Sequence, residues 1–284
     1  MNKMKVLVTG AKGQLGYDVV NELTLCGHEA IGVDISEMDI TSAAQTMNVI
    51  AEISPDAVIH CAAWTAVDAA EDNEDAVRRV NADGTRNVAS ACKAVGAKMM
   101  YISTDYVFDG QGTEPWSADC KTFAPLNVYG RTKLEGERAV ADNIDNYFIV
   151  RIAWVFGAHG KNFVDTMLRL GQTHDTLRVV SDQIGTPTYT PDLARLLVDM
   201  IETEKYGYYN ATNEGGYISW YEFACEIFRQ AGIKTKVIPV TTKEYGLSKA
   251  KRPFNSRLDK SKLAMNGFKP LPDWRDALER YLKG

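Results

Sequence analysis

KVLVTGAKGQLGYDVVNELTLC, residues 5–26, sets how the chain begins to fold. Lys5–Thr9 is a short apolar run, and from residue 14 to residue 26 the apolar side chains recur at helical spacing, so strand, tight turn and amphipathic helix follow one another. Gly10, Gly13 and Gly16 lie in between. The first permits a sharp turn, the second lets backbone approach a pyrophosphate, and the third lets the helix pack closely on the strand. The helix N-terminus then offers free N–H groups to phosphates. A lone glycine motif is often only a turn. Its place between a strand and a helix is what points to a dinucleotide.

The alternation continues outward from this unit. Residues 28–34 and 56–62 read as strands around a helix at 41–53. A helix at about 75–95, a strand at 98–103, a helix at about 129–143 and the strand Tyr147–Ile152 come next. Apolar strands separated by helices predict a parallel sheet covered on both faces. Beyond residue 155 come loops rich in Gly, Pro and Thr, with helices near 191–202, 220–231 and 274–283. The expected fold is α/β: a Rossmann-type doubly wound parallel sheet with a smaller, interleaved C-terminal substrate domain. Residues 1–155 form the dinucleotide-binding part, a segment at about 188–205 packs back onto it, and residues 156–284 are mainly the substrate part.

The chain of 284 residues is 45% hydrophobic, enough for a sizeable core, and its net charge of −5 offers no basic stripe for nucleic acid. Local Arg and Lys groups still suffice for one diphosphate. The five cysteines are odd in number and form no CxxC pair, and the four histidines have no metal-ligand spacing, so neither a disulfide framework nor a bound metal is expected. MNKMKVLVTG turns glycine-rich too soon for a signal or membrane segment, which leads to a cytoplasmic expectation without membrane contact.

Asp34 closes the second strand about twenty residues past the glycine turn, where a carboxylate accepts hydrogen bonds from adenosine ribose hydroxyls. Its neighbours Ile35, Ser36 and Glu37 include no base for a 2′-phosphate, which favours NADH, whereas Lys12 favours NADPH. NADH and NADPH both stay open, with a slight lean to NADH. Tyr129 and Lys133 stand four residues apart and project from one helix face. A phenol is a poor acid at neutrality, and a nearby ammonium favours its phenolate. Such a pair alone is commonly a solvated helix face. Upstream, however, Ser103, Thr104 and Asp105 lie at the carboxyl end of a strand, where α/β sheets bind ligands and a hydroxyl can hold a carbonyl oxygen.

The TGxxGxxG turn, CAA at 61–63, NADGT at 81–85, STDYVF at 103–108 and YxxxK at 129–133 together resemble the extended short-chain dehydrogenase/reductase family. HCAAWTAVDAAE (60–71), PLNVYGRTKLEGE (125–137), RIAWVFG (151–157), NFVDTMLRL (162–170), DQIGTPT (182–188) and RPFNSRLD (252–259) are similar to its branch acting on dTDP-linked 4-keto-6-deoxy sugars. The resemblance implies cofactor contact by Gly10, Gly13, Gln14, Leu15, Gly16, Asp34, Asp39, Ile40, Ala62, Ala63, Trp64, Thr65, Tyr129 and Lys133. It implies catalysis by Thr104, Tyr129 and Lys133, and a sugar nucleotide held by Thr104, Asp105, Trp154 and Arg252.

Trp154 has a flat face and an N–H donor, although an aromatic after an apolar strand is often simply core. Arg252 has the planar fork that matches phosphate oxygens, against the plainer reading of an exposed loop arginine. Where some members bind magnesium through interface glutamates, this chain has Asp18 and a position near Pro191, so no metal-linked dimer is expected, only a monomer or homodimer. The implied reaction is hydride delivery to a C4 ketone with a proton from Tyr129. Lys133 tunes the phenol and Thr104 aligns the oxygen, in a route to cell-surface polysaccharide. The alternatives are a redox-neutral sugar-nucleotide epimerase or dehydratase of the same fold, and a non-catalytic subunit like that regulating methionine adenosyltransferase. The intact Thr104, Tyr129 and Lys133 weigh against the last.

Overall fold

The computed structural model describes residues 3–284. β1 (Lys5–Thr9), α1 (Gln14–Leu25), β2 (Glu29–Val33), α2 (Ala43–Ile53) and β3 (Ala57–His60) follow in the expected order, then β4 (Lys98–Thr104) and β5 (Tyr147–Ile152). These strands and Gly207–Asn210 form one parallel sheet, in the order Gly207–Asn210, β5, β4, β3, β1, β2. The strands read as unbroken apolar runs because both faces are covered. Val6 and Val8 pack with Val19 and Leu23 of α1, whereas Leu7 between them packs on the opposite face with Ile50, Val88 and Cys92. Since β2 lies on one side of β1 and β3 on the other, the chain reverses direction there and leaves a crevice at the carboxyl ends of both.

Among the departures from the sequence reading, two bear on the sheet and the cleft. The expected helix at about 75–95 is interrupted: a π-helical turn, Arg79–Gly84, separates Glu74–Arg78 from Thr85–Val95. In that turn the buried Asn81 side chain bonds the Trp64 backbone and the Thr132 hydroxyl, and Gly84 packs so closely on Ile40 that an added Cβ would lie 2.8 Å from Cγ1. Such bulges collect at functional sites. The sixth strand, Gly207–Asn210, is also new. It is four residues with two tyrosines and no apolar run, and it becomes a strand by pairing with β5.

The later part of the chain crosses back before building its own core. Helix Thr190–Ile201 lays Leu193, Leu197 and Met200 against Val19 and Leu23, on the same sheet face as α1. The smaller lobe packs helices Phe163–Gly171, Trp220–Ala231 and Trp274–Lys283 around Phe156, Phe223, Phe228 and Trp274, beside the parallel pair Thr176–Val180 and Lys236–Val240. Helix Trp220–Ala231 is fixed at its start by the reciprocal capping of Ser219 and Glu222 and stopped by left-handed Gly232. Among the described residues no helix is long and apolar enough to cross a membrane.

Candidate active site

The crevice at the carboxyl edge of the sheet opens into a cleft of about 810 Å³. Gly10 follows β1 with φ +66°, and a Cβ there would stand 2.8 Å from the Ala62 nitrogen. Gly16 packs against the turn so tightly that its Cβ would fall 2.2 Å from the Gly10 carbonyl oxygen. Gly13 caps α1 in extended conformation, with no side-chain cap and no acid in the first turn, so that turn keeps free N–H donors beside the cleft. Behind it Thr9 Oγ1 lies 2.7 Å from His60 Nδ1, and His60 Nε2 lies 3.1 Å from Thr85 Oγ1. Burial pushes His60 down to about 3, so it is a neutral tie between β1 and β3.

Asp34 occupies the cleft wall at the end of β2, with its carboxylate accepting from the Lys12 and Ile35 backbone N–H groups at 3.2 and 2.9 Å. Lys12 Nζ reaches Ser36 Oγ at 3.1 Å and Glu37 Oε1 at 3.2 Å. A basic group from the glycine turn thus stands beside residues 35–37, paired with Glu37. Asp39, Ile40, Ala62, Ala63, Trp64 and Thr65 line the wall beyond. The backbone amide of Trp64 donates to Asn81 Oδ1 at 2.8 Å, so the π-helical turn fixes this stretch.

At the other end stand Thr104, Asp105, Tyr129 and Lys133, all lining the same cleft and, apart from half-buried Tyr129, fully buried as residues. Helix Val128–Asn143 starts from Asn127, whose side chain accepts from the Gly130 amide at 2.8 Å, placing Tyr129 in the first turn. Thr104 Oγ1 donates to Asp105 Oδ1 at 3.0 Å. Lys133 Nζ donates to the Ile102 carbonyl at 2.7 Å and sits 4.0 Å from the Tyr101 ring centroid.

Burial dominates the electrostatics of this cluster. Burial pushes the Tyr129 phenol well up, opposed by the Thr104 hydroxyl. Lys133 itself is pushed down to about 7 by burial, against the pull of Glu137 and Cys61. Burial raises Asp105 to about 6, and its Oδ2 has no hydrogen-bond partner. The cleft thus holds a neutral phenol, a hydroxyl, and an ammonium close to releasing its proton: a set that can deliver a proton to an oxygen anion.

Trp154 lines the cleft, but Arg252 does not. The Arg252 guanidinium turns to Asp68 Oδ2 at 2.7 Å and to the Tyr106 hydroxyl at 3.4 Å. The fork read as a diphosphate clamp is thus paired with a carboxylate 184 residues earlier. Sequence reasoning also missed Asn81, the Glu137–Arg151 pair and Trp220. NADGT and LEGE contain two of these, yet nothing local in either motif shows which side chain turns inward.

The family described as "RmlD substrate binding domain" matches residues 4–284. A dTDP-4-dehydrorhamnose reductase of Streptomyces griseus is 43% identical, covering 96% of this chain and 91% of its own. The spore coat polysaccharide biosynthesis protein SpsK of Bacillus subtilis is 40% identical, covering 98% and 97%. The crystal structure of a dTDP-4-dehydrorhamnose reductase from Bacillus anthracis in complex with NADP superposes with a TM-score of 0.95, at 44% identity and 99% of each chain.

Proposed function

We propose, from the premise that the chain belongs to the RmlD substrate-binding-domain family, that it is an NAD(P)H-dependent oxidoreductase reducing the C4 ketone of dTDP-4-dehydro-L-rhamnose to dTDP-L-rhamnose. The observation that carries this reading is the meeting of Thr104 and Tyr129 with the glycine cradle in one cleft, within a chain that covers its reductase relatives almost end to end. The product is a building block for cell-surface polysaccharide.

The cradle fits a dinucleotide: the glycine approach and the free N–H groups of α1 suit a pyrophosphate, and Asp34 suits a ribose diol. The nicotinamide coenzyme supplies the hydride. Tyr129 donates its proton to O4 as negative charge develops there, and its high affinity for that proton keeps it loaded at neutral pH. Thr104 orients the oxygen from the end of β4. Lys133, one helical turn from Tyr129, stabilises the phenolate left behind and returns a proton to it. Asp105 and Trp154 face the sugar, and the lobe formed mainly by residues 156–284 holds the nucleotide. Absorbance of NADH and NADPH followed with dTDP-4-dehydro-L-rhamnose generated in situ tests the reading. Oxidation of either supports it, and oxidation of neither overturns it.

A further inference from the structure

Trp154 follows β5 with φ +52°, a left-handed backbone that a bulky residue keeps only where its surroundings impose it. Two neighbours confine its indole. Trp220 stacks on it with ring centroids 3.7 Å apart and planes 15° from parallel. Gly185 lies so near the indole that a Cβ would stand 2.8 Å from Cε2 and 3.0 Å from Nε1. Both neighbours come from one ribbon: Ile218–Ser219 pairs antiparallel with Ile184–Gly185, and Trp220 comes next as the first residue of the helix capped by Ser219. Phe163, with its centroid 4.6 Å from that of Trp220, backs the stack from the smaller core. The Trp154 carbonyl accepts from the Thr188 amide at 3.0 Å, so the segment after Gly185 also fixes the strained backbone. Both tryptophans line the cleft.

We propose that Trp220 and Gly185 are positioning residues that set the orientation of the Trp154 indole, and through it the affinity of the cleft for the sugar ring. The inference rests on the sugar-facing role of Trp154 given under Proposed function. The apolar C–H face of a 6-deoxyhexose packs on an indole only while that indole is held flat to it. The smaller lobe therefore acts on the reaction through the ribbon, with no polar contact required from Trp220.

The test uses Trp154→Ala, Trp220→Ala, Trp220→Phe, Gly185→Ala and the double variant Trp154→Ala/Trp220→Ala in the full chain. Coenzyme Kd, sugar-nucleotide KM, kcat and near-UV circular dichroism are measured. Trp220→Ala and Gly185→Ala should each raise KM about tenfold, the upper range for one aromatic pair, and weaken the Trp–Trp signal. Coenzyme Kd should stay within about twofold, and Trp220→Phe should recover most of the KM. Because Trp220 acts through Trp154, the double variant should be no worse than Trp154→Ala alone. Additive losses, a Trp220→Ala KM within twofold of the parent chain, or equal losses of coenzyme and sugar nucleotide would overturn the proposal. If the parent chain oxidises neither coenzyme, the reductase reading fails separately. The near-UV signal then decides the positioning claim, since a Gly185→Ala protein that keeps it would show that Gly185 does not hold the indole.

Discussion

Glu137 accepts from Arg151 through both carboxylate oxygens, Nε to Oε1 at 2.8 Å and Nη2 to Oε2 at 2.8 Å, with each side chain 1% exposed. Ser103 Oγ adds a third bond to Glu137 at 2.6 Å. The helix carrying Tyr129 and Lys133 is thereby tied to β4 and β5 one turn beyond Lys133. Leaving one charge of such a pair buried without its partner costs about 3–5 kcal/mol. Glu137→Ala should lose stability of that order in urea unfolding, whereas the double variant Glu137→Gln/Arg151→Met should recover much of it. A loss below about 1 kcal/mol for Glu137→Ala would show that water replaces the carboxylate.

Tyr129→Phe keeps the ring and removes the proton. Turnover should fall by about two to four orders of magnitude, the usual worth of a positioned general acid, while coenzyme Kd is nearly unchanged. Retention of more than about a tenth of the activity would assign the proton to another group.

Asp34→Ala should weaken NADH by roughly 1.5–3 kcal/mol, about tenfold to over a hundredfold, because a charged hydrogen bond to ribose is lost. NADPH should suffer less, because it carries as a phosphate the ribose hydroxyl that the lost carboxylate would bond. Titration with both coenzymes checks this, and equal losses would make Asp34 merely structural.

Asp105 gives a pH dependence of stability. Its folded pKa, about 6, is raised above the ordinary 3.8, so the folded state holds the proton more tightly than the unfolded chain does. Stability from this group is present below the unfolded value and is lost as pH rises between about 4 and 6. The loss is roughly 3 kcal/mol when complete. Denaturation of the coenzyme-free protein at pH 4 and pH 7.5 should show Asp105→Asn gaining on the parent chain as pH rises. A stability difference that does not change with pH would refute the burial of that charge.

Arg252→Ala should raise sugar-nucleotide KM, with Arg252→Lys in between because it keeps the charge and loses the fork, while coenzyme Kd stays within about twofold. Asp68 holds the guanidinium, so this outcome requires the sugar nucleotide to share or displace that carboxylate. An unchanged KM in Arg252→Ala would reduce the pair to a tie between the two lobes.

The sheet was legible because its signals are local. Unbroken apolar runs in β1 and β3, helical spacing in α1, and glycines at 10, 13 and 16 each depend on neighbours a few residues apart. The residues gathered at the carboxyl edge were legible for the same reason, since a strand end can be read without knowing its partners. Trp220 and Asn81 were not, because each depends on a residue far along the chain: Trp154 in one case, Thr132 in the other.

By itself, then, the sequence determined the order of β1 to β5 and the helices α1 and α2, the glycine cradle, and the single helix face carrying Tyr129 and Lys133. Only the tertiary structure decided which strand lies beside which, that Gly207–Asn210 completes the sheet, and that Asp68 takes the Arg252 fork. It also decided the charges. Spacing alone places Lys133 one turn from Tyr129 and favours a lowered phenol, whereas desolvation raises Tyr129 and lowers Lys133. Spacing is a property of the chain, but desolvation sums over every element packed around a group, and that sum exists only once the chain has folded.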